Sequence, residues 1–419
     1  MKLLSLKRKQ AHYVIVIFCC CCLIVCSVGN TFNCAGLFYS PISQELNVGI
    51  GQVSFYITIA SLICGLGAPL AIKCFDRLKT RGLLACAAAV TIGCYILLSQ
   101  VKNLILLYFC SVLLGISTCF YGVPVAAYFI SNWFEAKYDV VTGLVFSFGG
   151  IGGALLNPFY SAVMERIGWR NTYLCSAAVV FVLLLPCIVL LQRDPGFWGL
   201  SKYGENSNLG KQRGQGKKNG EVRSPVSRNA VMVICCIVGF LGFFVTSYVT
   251  HFKTYTISLG NPIAVGVTMT TVAMLANCSC KFLAGVFCEK FGGLYTGIAM
   301  LLLGVIGIII ISVSPGRNLA FYFAAFLIGA VYSVPSVCLS AIGKTFFDSA
   351  VFASMYSVIQ VFASLGSASG YFFIGQLYDI TGSYKTSSVL CLCFLLISLL
   401  FLTTLFIIYK KVVDKKGAV

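Results

Sequence analysis

Charge is what this sequence has least of: 10% of its 419 residues are Asp, Glu, Lys or Arg, 59% are hydrophobic, and the mean hydropathy is +0.93. A water-soluble domain carries about 25% charged residues, so the chain lacks the polar surface to cover its apolar mass in water. Histidine is scarcer still, with only His12 and His251. No set of residues has metal-ligand spacing, and neither a metal nor a cofactor is expected. The acidic residues number 12, and all fall at the ends of apolar runs or between them: Glu45, Asp76, Glu135, Asp139, Glu165, Asp194, Glu205, Glu221, Glu289, Asp348, Asp379 and Asp414. That placement leaves no deeply buried carboxylate as a proton relay. Also missing are a nucleophile with an adjacent base and a phosphate-binding glycine loop, so an enzyme is the reading least supported.

What the chain has in quantity is apolar helix-length runs. A spanning helix needs about 20 apolar residues, and the length accommodates twelve such spans with connections. They are expected near 12–38, 50–73, 82–100, 104–130, 139–164 and 171–192, then 229–256, 262–288, 293–313, 318–343, 350–378 and 386–409. The basic start (Lys2, Lys7, Arg8, Lys9) has the look of a signal peptide, but the apolar stretch continues to about Phe38 without a small-residue cleavage site and reads as the first span. The 22 cysteines lie mostly inside the apolar runs, Cys19 to Cys22 in a row, where thiols act as small hydrophobes rather than as a disulfide framework.

The one long polar segment, 193–228, is rich in Gly, Asn, Ser and Lys and reads as a flexible linker between an N-terminal six-helix bundle, 1–192, and a C-terminal one, 229–419. With both termini inside, 23 of the 30 lysines and arginines fall on the cytoplasmic side and 6 on the other. The positive-inside rule then places both termini in the cytoplasm, with the plasma membrane as the expected location. The net charge of +18 is a topology signal and a contact for anionic lipid headgroups, not a nucleic-acid footprint.

Landmarks recur at a nearly constant offset. Asp76-Arg77 returns as Glu289-Lys290, Trp133-Phe134 as Phe346-Phe347, Glu165 with Gly168 as Asp379 with Gly382, and Tyr121-Gly-Val-Pro124 as Tyr332-Ser-Val-Pro335. Two duplicated halves follow, and because the offset carries an even number of spans, both have the same orientation in the membrane.

In these features the sequence resembles the major facilitator superfamily. The segments CFDRLKTRG and GVFCEKFGG are similar to its cytoplasmic loop motif; the first departs from it at Ile72 and Lys79, where glycines are usual, and the second keeps Gly285 and Gly292. Within the superfamily, YGVPVAAYFISNWFEAKYDVVTGLVFSFGGIGG, GNTFNCAGLFYSPISQEL and GQLYDITGSY resemble the monocarboxylate transporter and oxalate/formate exchanger group. The resemblance implies an all-α integral membrane protein of twelve helices in two parallel-related six-helix bundles, a monomer that carries a small molecule by alternating access.

Lys281 is the one cation expected deep in the membrane, about 12 Å above the end of span eight at 1.5 Å per residue. An intramembrane ammonium costs about 2.5 kcal/mol or more, so it faces a wet cavity, meets a partner, or snorkels to the interface. With no buried acid to pair with, an anionic substrate is the favoured partner, and the resemblance places a carboxylate-binding basic residue at this position. One turn earlier, where monocarboxylate transporters tend to carry aspartate, stands Asn277, which puts proton coupling through this pair in doubt. Gln360 aligns with the second cation of oxalate exchangers, and one cation with one amide suits a monoanion better than a dianion. The resemblance adds Tyr121 and Tyr332 to the central site, each followed by a proline, although packing explains either equally well. Asn33 and Tyr356 are further pocket candidates, with Asn30. His251 and Lys253 either attract anions or mark the membrane interface. Asp76-Arg77 and Glu289-Lys290 are expected cytoplasmic ion-pair latches, with ordinary positive-inside charge as the competing account.

The expected function is therefore a secondary or facilitative carrier of a small organic monocarboxylate. The competing readings are an efflux or uptake carrier for a neutral or lipophilic molecule and, from another class, a non-transporting membrane sensor.

Overall fold

The computed structural model describes residues 2–204, 227–313, 317–347 and 349–417; side chains are not described at 2–10, 139, 349–354 and 412–417. Most of the expected linker, 205–226, lies outside the described residues, as does Asp348.

The described chain is helical, the arrangement that satisfies every backbone N–H and C=O within its own segment where no water is available. Among the described residues, eleven helical segments are long and apolar enough to cross a membrane: Ala11–Asn33, Ile50–Arg77, Thr80–Leu98, Leu104–Trp133, Val140–Leu190, Arg228–Ser258, Ile263–Phe291, Gly293–Val313, Asn318–Phe346, Met355–Thr381 and Lys385–Lys411. The fifth segment is two helices joined at Gly168, whose φ of 80° and ψ of 165° lie outside the helical range and suit a residue without a Cβ. Counting it as spans five and six gives the twelve that the sequence predicts.

Among the described residues, spans one, four and ten are interrupted by a wide turn or a break near a proline, and span seven by the 3-10 turn Tyr248–His251. Span one passes into a π-helical stretch, Val25–Asn33, and continues as a second helix, Gly36–Leu46. Span four breaks at 119–122, ahead of Pro124, and span ten breaks at 331–333 before the π turn Val334–Cys338 that holds Pro335. Helix breaks of this kind free backbone carbonyls, which in a membrane must find other donors.

Packing divides the chain into two compact units that do not follow the two halves of the sequence. One comprises described residues within 1–33, 63–156 and 162–222, the other those within 34–62, 157–161 and 223–419. In the first unit the π-helical part of span one lies against the glycines of span five: a Cβ on Gly29 would meet Gly152 at 3.0 Å, and one on Gly149 would meet Val28 at 2.9 Å. Arg170, at the start of span six, donates to the carbonyls of Ser99 (2.8 Å) and Val101 (2.7 Å) beyond the end of span three. Past span six, Tyr203 pairs with the end of span four: its N–H donates to the Trp133 carbonyl (2.9 Å), and its carbonyl accepts from Glu135 (3.1 Å) and Ala136 (3.0 Å).

In the second unit, spans seven and eleven touch through Gly366 and Gly370. A Cβ on Gly366 would strike the Phe240 carbonyl, and the Ser247 hydroxyl donates to the carbonyl of Ser367 at 2.9 Å. The small residues of spans five and eleven are thus sites of direct backbone approach. Residues 34–62 belong to this unit as well. Gly36 sits on the backbone of Thr250, Thr58 donates to the Ala368 carbonyl (2.7 Å), and the Asp379 carboxylate accepts from the first amides of span two, Ile50 (2.8 Å) and Gly51 (2.6 Å). A carboxylate on two free N–H groups at a helix N-terminus is stabilised by both the hydrogen bonds and the helix dipole.

Candidate functional site

Spans eight, ten and eleven, all in the second unit, bring five of the expected residues into one region. Lys281 is half-buried in span eight, and its Nζ lies 5.9 Å from the centre of the Tyr332 ring in span ten. The face of an aromatic ring attracts a cation but leaves its three N–H groups unsatisfied. No described residue accepts a hydrogen bond from this ammonium or forms an ion pair with it. One helical turn earlier, Asn277 is 2% exposed and its Oδ1 has no hydrogen-bond partner. A cation without an acceptor and an amide oxygen without a donor thus stand four residues apart on one helix face.

The break in span ten is held from two sides. The Tyr332 hydroxyl donates to the Thr246 carbonyl of span seven at 3.1 Å. From span eleven, Gln360 Nε2 donates to the Pro335 carbonyl at 3.0 Å and the Tyr356 hydroxyl donates to the Ser336 carbonyl at 2.9 Å. Gln360 and Tyr356 therefore tie span eleven to the backbone of the interrupted turn that follows Tyr332. The remaining N–H of the Gln360 amide and both of its oxygen lone pairs exceed what this one bond uses.

The remaining candidates stand in the first unit. Tyr121 is fully buried, and its hydroxyl shares a 2.9 Å hydrogen bond with Thr91 of span three, so it fills the interior of this unit. Asn33 is 6% exposed and donates to the Gly149 carbonyl at 2.9 Å, tying the end of the π-helical stretch to span five. Asn30 and Thr31 meet the hydroxyl of Tyr95, each at 3.0 Å. Nothing in the sequence singles out Tyr95, because an aromatic in an apolar run carries no sign of a polar partner on another span.

The expected ion-pair latches are not closed. Asp76 and Arg77 are both exposed; the Asp76 carboxylate accepts from the Tyr128 hydroxyl at 2.6 Å, and Arg193 donates to the Asp76 backbone carbonyl at 3.0 Å. Glu289 and Lys290 are exposed too, and neither joins an ion pair among the described residues. Adjacent residues on a helix point about 100° apart, so neighbouring opposite charges do not face each other. His251 and Lys253 also depart from the interface-marker reading, being 0% and 4% exposed. Lys253 donates to the Leu37 carbonyl at 2.7 Å, a bond made by residues 34–62 that span-by-span reading does not foresee.

The sequence matches the family model of the Major Facilitator Superfamily over residues 20–371. The chain belongs to that superfamily: it is a multi-pass membrane transporter of a small-molecule substrate, and not an enzyme. Among curated proteins, none matches the sequence. Similar solved structures include the nucleoside transporter NupG, at a TM-score of 0.71 and 12% identity over 94% of this chain and 98% of that one. A D-xylose-proton symporter aligns at 0.70 and 14% over 93% and 96%. A bacterial homolog of the human lysosomal transporter Spinster, inward-facing and unoccupied, aligns at 0.65 and 14% over 96% and 98%. Identities this low show the shared fold alone.

Proposed function

We propose that this transporter carries a small organic monocarboxylate by alternating access, with Lys281 as its anion anchor. The observation that carries the reading is the Lys281 ammonium, half-buried on span eight with an aromatic face beside it and no hydrogen-bond acceptor among the described residues. A carboxylate supplies the missing acceptors and the missing charge in one group. A dianion would need a second cation, and Gln360, Tyr356 and Asn277 are neutral.

The Oδ1 of Asn277 narrows the class. It lacks a donor, and a hydroxyl next to the carboxylate, as in lactate, supplies one from the same small molecule. Tyr332 closes the apolar side of such a ligand, while Gln360 and Tyr356 hold the turn that carries it. Tyr121 and Asn33 serve in this reading as framework for the first unit. Asp76, Arg77, Glu289 and Lys290 act in gating through partners such as Tyr128, bonded to Asp76, rather than as paired latches. The basic residues on the side of both termini favour a cytoplasmic orientation in the plasma membrane.

Uptake of labelled lactate, pyruvate, formate, acetate and oxalate into proteoliposomes tests the reading. Lactate and pyruvate are expected to enter faster than oxalate. Uptake of none of the five, with transport of a neutral solute instead, would overturn it.

A further inference from the structure

A buried imidazole in the second unit has one nitrogen to spare. His251 is 0% exposed in a short 3-10 turn, Tyr248–His251, in the C-terminal part of span seven. Its Nε2 lies 3.1 Å from the carbonyl oxygen of Tyr371 in span eleven. A carbonyl only accepts, so Nε2 carries the hydrogen and Nδ1 presents its lone pair. Nδ1 is buried and has no hydrogen-bond partner. The ring of Tyr39, from the helix Gly36–Leu46, packs 5.2 Å from the imidazole, with its buried hydroxyl toward the Thr250 side chain.

A buried nitrogen left without a partner is costly, and native structures keep one where something binds or changes. The surroundings limit what that is. Tyr384 contacts the ring at 6.0 Å, its hydroxyl shared with Thr254 at 2.6 Å. Tyr56 packs on Tyr39 at 6.4 Å, Lys253 is turned to the Leu37 carbonyl, and Asp379 is held by the amides of Ile50 and Gly51. Spans eight and ten also pack on this turn, and no titratable side chain of theirs is in hydrogen-bond, ion-pair or ring contact with His251. The cluster is therefore a poor cation site, since it offers no carboxylate to the ring. It is suited to the smallest cation.

We propose that Nδ1 of His251 is the proton-binding site through which this carrier couples substrate movement to protons. The proposal rests on the monocarboxylate reading above, in which Lys281 holds the anion, and assigns the proton to a different residue. A proton from water bonds to the Nδ1 lone pair, Nε2–H stays on Tyr371, and the ring gains one positive charge; the reverse step returns the proton to water. Protonation creates a second N–H donor. In the arrangement seen here that donor has no acceptor, so the charged ring favours an arrangement in which water reaches it. Residues 36–58 cover this region through the contacts of Gly36, Lys253, Thr58 and Asp379, and parting those contacts is what admits water. Proton binding and the opening of this seam are thereby one equilibrium.

The chain has two histidines, so ring-labelled protein in lipid nanodiscs gives two imidazole signals, and His12→Gln assigns them. The proposal predicts the Nε2–H tautomer of His251 at high pH and protonation of Nδ1 within the range from the highest to the lowest pH at which the protein stays folded. A ring that keeps that tautomer across the range, as one bonded to a buried water would, overturns the proposal. In proteoliposomes, an inward proton gradient of about one pH unit should drive lactate accumulation about tenfold in the native protein. His251→Gln, which keeps a donor for the Tyr371 carbonyl, should exchange lactate yet fail to accumulate it. Native accumulation in His251→Gln would contradict the assignment. If the native protein moves no carboxylate at all, the monocarboxylate reading fails on its own terms, and the ring titration still decides whether His251 binds a proton.

Discussion

At the scale of single residues, the account turns on groups whose bonding is incomplete. Lys281 was legible in the sequence because a cation stands out in an apolar helix, and its depth follows from counting turns. The lone Oδ1 of Asn277 was not, since a missing donor is a property of three spans together. The two make different predictions. Lys281→Gln removes the charge that a carboxylate meets, and truncating one side of a buried charge pair costs about 2–5 kcal/mol, so lactate affinity should fall at least about 30-fold in a binding titration. Lys281→Arg, which keeps the charge, should retain measurable affinity. Asn277→Leu removes a neutral acceptor worth about 0.5–1.5 kcal/mol, a loss of about two- to tenfold for lactate with little change for acetate, which has no hydroxyl. Equal losses for both ligands would place Asn277 in the framework of span eight instead.

At the scale of elements, the helices were readable and their interruptions were not. Hydropathy located all twelve spans, whereas the π-helical stretch of span one and the joint at Gly168 depend on what packs beside them. The glycines separate into two kinds that composition does not distinguish. A Cβ on Gly36 would strike the carbonyl oxygen of Thr250, a backbone atom that does not yield, while Gly93 in span three has nothing within 4 Å. Gly36→Ala should lower the thermal midpoint of the purified protein, by an overpacking cost of about 1–3 kcal/mol, and Gly93→Ala should leave it unchanged or raise it slightly. Asp379 is a second element-scale device: from the end of span eleven it caps the start of span two. Hydrogen bonds to a charged group are worth about 1.5–3 kcal/mol, so Asp379→Ala should speed hydrogen exchange of the Ile50 and Gly51 amides by about tenfold or more. Unchanged exchange would mean that other contacts hold this seam.

At the scale of the whole molecule, the repeat and the span count specify the superfamily fold, but the division into compact units follows contacts rather than duplication. Residues 34–62 lie in the first half of the sequence and pack within the second unit. Sequence spacing carries no sign of this, because the bonds involved, Lys253 to Leu37 and Thr58 to Ala368, are made to backbone carbonyls that every residue possesses. The same limit explains the latches: Asp76 and Arg77 read as a pair because they are adjacent and opposite in sign, yet the carboxylate is bonded to Tyr128 of span four. Substrate selection is the property for which family membership says least and local chemistry most. Lactate counterflow, with the protein loaded on one side and no ion gradient, tests that chemistry most directly, because it requires binding and turnover but no coupling. The account predicts exchange by the native protein, residual exchange by Lys281→Arg, and none by Lys281→Gln; full exchange by Lys281→Gln would contradict it.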